Sequence, residues 1–286
     1  MKVVIEVLHH SDFYEIRNFK CNCTRCSVSS PEYNDSFYFC FVRSGFFEYR
    51  IYKRDYDVHI GRVLISKPDY SYTTKHIDEQ PDICSVFDFT KTFYEKIKDW
   101  YGKEASWFFG NKDIHSILLH TSPEIEYLHR CIMNKLLHLQ QDNLLIDEMV
   151  VQLVDRIMRL LGNGTAPLPL SDNLRKYHLS TIEKATNYLL ERFDKNISLQ
   201  ELADHCCVSL FHFSRIFKNI MQQSPYKYLS SVRLAHARTL LETTQLPVTQ
   251  VAFECGYNSL EQFSNVYRQF FNSSPVHYRK NILANL

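Results

Sequence analysis

LADHCCVSLFHFSRIFK, residues 202–218, sets two adjacent cysteines between two runs of apolar residues at helical spacing. The pair is either a chemical site or the turn between two helices. The answer lies about 50 residues further on, where the surrounding segment recurs. SLQELADHCCVSLFHFSRIFKNIMQQSPYKYL (Ser198–Leu229) returns as PVTQVAFECGYNSLEQFSNVYRQFFNSSPVHYR (Pro247–Arg279). Phe213-Ser214 corresponds to Phe263-Ser264, and Phe217-Lys218 to Tyr267-Arg268. Ser224-Pro225 and Tyr228 correspond to Ser274-Pro275 and Tyr278. The offset is 49 before the turn and 50 after it, so the second turn holds one extra residue.

Each copy reads as helix, tight turn, helix. In the first, Ser198 with Glu201 makes a capping box. Ala203 is small, as a close helix crossing requires. Ser209 is placed to cap the second helix, whose apolar face is Phe213, Ile216, Phe217 and Ile220. In the second copy Pro247 suits a first helical turn, Ala252 is the small residue, Gly256 sits in the turn and Ser259 caps. Short turns of this kind, often with Gly, join the helices of helix-turn-helix units. Cys206 then aligns with Cys255 as a packed small residue. Cys207 aligns with Gly256, where a left-handed backbone would cost a cysteine roughly 1 kcal/mol. The pair is therefore expected to be a turn, with neither a metal nor a redox role.

Between the copies runs SPYKYLSSVRLAHARTLLETT, residues 224–244, with Leu229, Val232, Leu234, Ala237, Leu240 and Leu241 at helical spacing. A helix of about 20 residues spans ~30 Å. Successive major-groove faces of B-DNA lie about 34 Å apart. A rod of that length suits two reading helices set over neighbouring groove segments.

The chain has 286 residues, 45% hydrophobic and 23% charged, enough for two domains with cores of their own. No run approaches the ~18 uninterrupted apolar residues of a membrane span. The start, MKVVIEVLHHSDFYEI, reads poorly as a signal peptide, so a cytoplasmic protein with reduced thiols is expected. The net charge of +1 hides an asymmetry. From Arg175 onward there are 13 basic and 8 acidic residues, a net +5 against −4 for the remainder. A basic third on an acidic body points to a polyanionic partner at that end.

Residues up to about 120 read as β-rich. SFYFCFVRSGFFEYRIY (Ser36–Tyr52) reads as two aromatic strands around an Arg-Ser-Gly turn, and GRVLISKP and DICSVFDF as further strands. From Pro123 the period becomes helical through Ile125, Leu128, Ile132, Leu136 and Leu139. After Asp142-Asn143 it continues through Met149, Leu153, Ile157 and Leu160. These helices serve as a lid on the β module, as a dimerisation face, or as both. GNGTAPLPLSDN is the best linker candidate. The domains expected are 1–161 for sensing and dimerisation, with helices at 123–161, a linker at 162–174, and 175–286 for nucleic acid.

The segment Leu179–Lys280, with its paired FS…F(K/R)…SPxxY elements, RLAHARTLL in the linker helix and VAFECGY, resembles the DNA-binding domain of the AraC/XylS family of transcription regulators. Gln222 and Asn272 stand where the family usually has Gly at a helix end, and Asn265 where it often has Arg. The resemblance implies an α+β chain. An N-terminal cupin-like β-barrel with a helical dimerisation segment would precede an all-α domain of two helix-turn-helix units joined by a linker helix. It implies double-stranded DNA and RNA polymerase as partners, a small-molecule effector, a homodimer, no membrane and no enzymatic activity. Carried over by position, Phe211, Ser214 and Arg215 of the first reading helix and Glu261, Gln262 and Asn265 of the second would meet base edges. Arg suits guanine, Gln and Asn adenine, Glu cytosine N4, and Phe a thymine methyl. Lys218 and Arg268, one turn on, would meet phosphates.

In the N-terminal part, Phe39, Phe41, Phe47, Tyr49 and Tyr72 are read either as lining a ligand site or as core. The CNCTRC stretch places Cys21, Cys23 and Cys26 on one short segment. Three thiols there could hold one zinc ion, act together as a thiol sensor, or be plain residues of a turn. A fourth zinc ligand would come from Cys40, His59, His76 or Cys84. Three other functions compete with this reading: a DNA-repair alkyl acceptor, a cupin-type metalloenzyme, and a non-specific architectural DNA binder. The first needs a different arrangement of four cysteines, and the second a close His pair that is absent from the expected place.

Overall fold

The structure is a computed structural model that describes residues 3–21, 28–52, 54–76, 81–137, 143–162 and 172–284. The chain divides into two compact units, Met1–Glu183 and Lys184–Leu286. Cys23, Cys26 and Leu139, and residues 163–171 of the expected linker, lie outside the described residues.

Among the described residues the first unit is built from two antiparallel sheets and four helices ahead of α5, the helix within which the division falls. Its strands are β1 (Val3–His10), β2 (Tyr14–Cys21), β3 (Glu32–Asn34), β4 (Phe37–Ser44), β5 (Phe46–Ile51), β6 (Arg54–His59), β7 (Arg62–Ser66), β8 (Tyr70–His76), β9 (Ile83–Phe89) and β10 (Ser116–His120). Six form one sheet in the order β1-β2-β9-β4-β7-β10, and four form the other in the order β3-β8-β5-β6. The helices α1 (Lys91–Tyr101) and α2 (Ser106–Phe109) lie between β9 and β10; α3 (Pro123–Leu137) and α4 (Asn143–Gly162) follow.

The alternation of β4 explains the layering. Successive side chains of a strand point to opposite faces. Phe37, Phe39 and Phe41 join a core with Ile16, Phe87, Val63 and Ile117 of the same sheet and with Ile125, Ile132, Leu153 and Ile157 of α3 and α4. Tyr38, Cys40 and Val42 face the other way, toward Phe47, Tyr49, Ile51 and Val58 of the four-stranded sheet. Each such large side chain, once fully buried, contributes roughly 1.5–3 kcal/mol of transfer free energy.

The two strands expected within Ser36–Tyr52 form as β4 and β5, and they lie in different sheets: β4 bonds to β7 and β9, and β5 to β6 and β8. Gly45, at φ +75°, turns the chain from one sheet into the other, and a Cβ there would fall on the Pro81 carbonyl oxygen. Where a cupin-like barrel is expected, the strands form two hydrogen-bonded sheets, with no closed barrel among the described residues. The β-rich stretch also holds α1, started by Thr90 as N-cap and buried through Phe93, Tyr94 and Ile97. Its apolar residues recur at 3–4 spacing, a helical period hidden among aromatics that also favour strands.

The apolar stripes of α3 and α4 are spent on the six-stranded sheet. Ile125, Leu128, Ile132 and Leu136 of α3 are buried, as are Ile146, Val150, Leu153, Ile157 and Leu161 of α4. The lid reading therefore accounts for most of their hydrophobicity. Leu144 and Val151 remain exposed on α4, one heptad apart.

The helices that follow are α5 (Asp172–Glu191), α6 (Leu199–His205), α7 (Leu210–Met221), α8 (Pro225–Thr243), α9 (Val248–Glu254), α10 (Leu260–Phe271) and α11 (Pro275–Ala284). The pairs α6–α7 and α9–α10 are the two helix-turn-helix units, with α8 between them. Leu234, Ala237 and Leu241 of α8 pack with Val251, Ala252, Phe263 and Tyr267 of the second unit. At its start, Tyr228 meets Phe217 of the first unit edge-on at 5.8 Å. Arg233 of α8 donates to the carbonyls of Phe193 and Lys195, both at 2.7 Å, which ties the segment after α5 to the rod.

Candidate nucleic-acid interface and N-terminal cavity

The two turns are built alike. Val208 N donates to Ala203 O and Tyr257 N to Ala252 O, each at 3.0 Å. Cys207 and Gly256 both take the left-handed backbone, at φ 56° and 76°. Cys206 and Cys255 are buried beneath these turns, and burial first of all pushes their thiols up to about 11 and about 12. They stay protonated and pack as small apolar residues.

Local sequence starts and stops each helix. Ser198 and Glu201 form the reciprocal capping box of α6. Ser259 caps α10 by accepting from Gln262 N at 3.1 Å. Ser209 stands at the cap of α7, with no side-chain bond to the backbone there. Pro247 sits at the N-cap of α9 and not inside its first turn, because its extended ψ of 142° precedes the helix. Gln222 and Asn272 end α7 and α10 in the left-handed conformation.

Burial of one face of α7 and α10 leaves the other to solvent. Phe213, Ile216, Phe217 and Ile220 of α7 and Phe263 and Tyr267 of α10 point into the core. Phe211, Arg215 and Lys218 lie on the exposed side of α7, with Ser214 half-buried beside them. Phe211 is 86% exposed, more than any other large hydrophobic side chain among the described residues. Arg215 Nη2 lies 3.2 Å from His212 Nδ1. Glu261, Gln262, Asn265 and Arg268 are all exposed on α10. Each set therefore shares one face of its helix, as positions three, four and seven apart do.

The first unit holds a cavity of about 380 Å³ between its two sheets. Of the five aromatics considered for such a site, Phe47, Tyr49 and Tyr72 line it. Phe39 and Phe41 sit in the core toward α3 and α4 instead, one strand position out of phase. Tyr49 stacks on Tyr72 at 4.9 Å and receives a hydrogen bond from Tyr38 Oη at 3.1 Å. Tyr49 Oη also lies 3.3 Å from Ser66 Oγ, so the polar tips are held while the rings face the space.

Cys21, His76 and Asp82 also line this cavity, each with 8% or less of its surface exposed. Cys21 Sγ is 3.7 Å from His76 Nδ1, and His76 Nε2 pairs with Asp82 Oδ1. Asp82 Oδ2 accepts from Cys84 Sγ at 3.1 Å. Cys84 is held neutral by its hydrogen bond with Cys40 and by burial, both of which raise its thiol well above the ordinary range. Cys21 is disulfide-bonded. Of the four groups considered as a fourth ligand, His76 meets Cys21. His59 does not: its Nδ1 lies 2.6 Å from the Ile60 carbonyl. Asp82 escaped the sequence reading, because a lone aspartate ahead of a strand carries no spacing signal.

Residues 202–281 match the family described as "Helix-turn-helix domain". The HTH-type transcriptional regulator AlkR of Acinetobacter baylyi is 39% identical over 87 residues, 30% of this chain and 28% of that protein. The HTH-type transcriptional regulator ArgR of Pseudomonas aeruginosa is 32% identical over 122 residues, 43% of this chain and 36% of that protein. Among solved structures, the DNA-binding domain of AdpA in complex with a target DNA is 28% identical, with a TM-score of 0.36. It covers 37% of this chain and 95% of that one. The chain thus spans about a third of the length of the curated relatives it matches. No helix among the described residues is long and apolar enough to cross a membrane.

Proposed function

We infer, from a C-terminal domain that belongs to the AraC/XylS family of transcriptional regulators, that the whole chain is a sequence-specific DNA-binding regulator whose N-terminal unit senses a signal. One observation carries the reading: two helices, each with its apolar face buried and a polar face left to solvent, stand at either end of the rod α8. Base contacts come from Phe211, Ser214, Arg215, Glu261, Gln262 and Asn265, and phosphate contacts from Lys218 and Arg268. The regulator acts in the cytoplasm, on double-stranded DNA and with RNA polymerase. The cavity between the sheets takes the small-molecule effector, and its tyrosine lining suits a ligand with both polar and flat apolar parts.

Sites selected from a random DNA pool test this reading. Arg215→Ala is expected to cost about 1–3 kcal/mol of affinity and to relax preference at one base position. Lys218→Ala weakens binding to all sequences alike and lowers its salt dependence by about one counterion. Equal affinity for selected and scrambled sites would turn the reading into that of a non-specific architectural binder.

A homodimer through the helical segment 123–161 is part of the same proposal. Leu144 and Val151 are the apolar residues of α4 free to meet a second copy, whereas Leu136 is core. Leu144→Glu with Val151→Glu is expected to give a monomer in sedimentation at micromolar concentration, with unchanged fluorescence of Trp100 and Trp107. A wild type that sediments as a monomer removes the dimer.

A further inference from the structure

The second end of β2, the last residue of β8 and the residue before β9 meet at one place. β2 and β9 are neighbours in the six-stranded sheet, whereas β8 belongs to the other. The two sheets therefore bring Cys21, His76 and Asp82 together in the cavity lining, and one ligand atom from each lies within 4.8 Å of the others. Sulfur, imidazole nitrogen and carboxylate oxygen form the mixed donor set that zinc takes; a sulfur donor argues against calcium or magnesium. Zinc–sulfur and zinc–nitrogen bonds of about 2.3 and 2.1 Å put tetrahedral donors roughly 3.4–3.8 Å apart. The 3.7 Å from Cys21 Sγ to His76 Nδ1 falls in that range, whereas Asp82 pairs with the opposite ring nitrogen, Nε2, so its carboxylate has to turn toward the sulfur side to complete the set. Buried charges need a counter-charge. A Cys21 thiolate beside the Asp82 carboxylate would place two negative charges in a site with 8% or less exposure, and a divalent cation balances them.

The Cys21 disulfide sets a condition on this site. A disulfide sulfur carries no negative charge and is a weak ligand; the thiolate is the metal-binding form. We propose that Cys21, His76 and Asp82 bind one zinc(II) ion when the Cys21 disulfide is reduced and release it when the disulfide forms. The proposal rests on the reading of the N-terminal unit as a sensor. It replaces the three-cysteine ligand set suggested by the CNCTRC spacing with one built from three separate segments. In the reducing direction, two thiols of a cellular dithiol give two electrons and two protons to the disulfide and become a disulfide themselves. Zinc(II) then displaces the proton from the Cys21 thiol, forming a sulfur–zinc bond and releasing that proton to solvent. Oxidation reverses both steps. Cys21, His76 and Asp82 all border the cavity where an effector would sit.

The test uses the full-length protein, purified without chelator, reduced with a phosphine and loaded with zinc sulfate. The reduced protein is expected to retain about one zinc per chain after gel filtration, and fewer than about a tenth after oxidation with diamide. Cys21→Ser and His76→Ala are each expected to lower affinity by at least tenfold. Cys131→Ser, on α3, leaves it unchanged. Should a site variant fail to fold, as Trp100 and Trp107 fluorescence reports, wild type loaded with cobalt(II) decides. A thiolate-to-cobalt charge-transfer band in the reduced form and not in the oxidised form supports the site. Its absence from the reduced form, zinc retained equally in both redox states, or zinc retained equally by folded site variants overturns the proposal. Selection of DNA sites is a separate readout: failure to bind DNA with zinc stoichiometry intact would sink the regulator reading alone.

Discussion

At pH 5 the N-terminal unit is expected to be about 4 kcal/mol less stable toward urea than at pH 8. His59 and His129 are 1% and 8% exposed and are held down to about 3, first by burial. The positive charges of Arg62 for His59, and of Arg43 and Arg130 for His129, act in the same sense. His129 is fixed in place by Ser85 Oγ at 2.6 Å from its Nε2 and by stacking on Phe41 at 4.3 Å. In the unfolded chain both imidazoles take up a proton near the ordinary 6.5. The folded values are depressed, so the stabilisation is fully present above about 6.5 and is lost as pH falls toward 3. At pH 5 each group then costs about 2 kcal/mol. His120, lowered to about 4 by burial, adds in the same direction. Both tryptophans, Trp100 and Trp107, lie in this unit, so their fluorescence reports its unfolding alone. His129→Gln is expected to remove about half of the acid sensitivity. Equal urea midpoints and slopes at the two pH values would show that these histidines are solvated and protonated in the folded state.

The paired turns give a second large effect, of opposite sign in the two copies. Gly256→Ala is expected to destabilise the C-terminal unit by about 3 kcal/mol and to abolish detectable binding to selected sites. The left-handed backbone costs an alanine about 1–2 kcal/mol. The added Cβ would also come within 2.6 Å of the Asp194 carbonyl oxygen and 2.9 Å of its Cα, backbone atoms that cannot swing away. At the matching position Cys207 already bears that strain at φ 56°. Cys207→Gly is expected to stabilise the unit by about 0.5–1 kcal/mol, the relieved strain less the added freedom of the unfolded chain. Thermal unfolding followed by far-ultraviolet circular dichroism measures both. If the two variants shifted the transition in the same direction, the equivalence of the turns would be lost.

Much of the C-terminal unit was legible because its signals are local. The capping box at Ser198–Glu201, the small Ala203 and Ala252, and the αL positions at Cys207, Gly256, Gln222 and Asn272 each depend on neighbours a few residues away. The repeat then reads each turn twice. The N-terminal unit depends on pairings between distant strands, which no local pattern encodes. FYFCFVRSGFFEYRI looks like a hairpin because strand alternation and a glycine turn are present. That the turn crosses between sheets depends on Pro81, 36 residues after Gly45. The phase of β4 followed from alternation, but which face met the helices did not, so Phe39 and Phe41 could not be told from Tyr49 and Tyr72. The Cys21–His76–Asp82 grouping needed the tertiary fold, since 55 residues separate its first two members.

On the proposed reading of α7 and α10, helix α8 has consequences for the DNA as well as for the protein. It is gripped at one end by Phe217 and at the other by the second unit's core, so neither reading helix can slide along it. A flexible tether would let the two units follow sites at variable separations. A packed rod makes the molecule a gauge of helical phase. Inserting one base pair between the two contacted segments moves the second by about a tenth of a duplex turn, which carries its bases around the axis and away from α10. An insertion of a full turn restores the phase but leaves the segment about 34 Å too far along for a rigid rod. If α7 and α10 read DNA as proposed, the spacing of the two contacted segments is as fixed as their sequence.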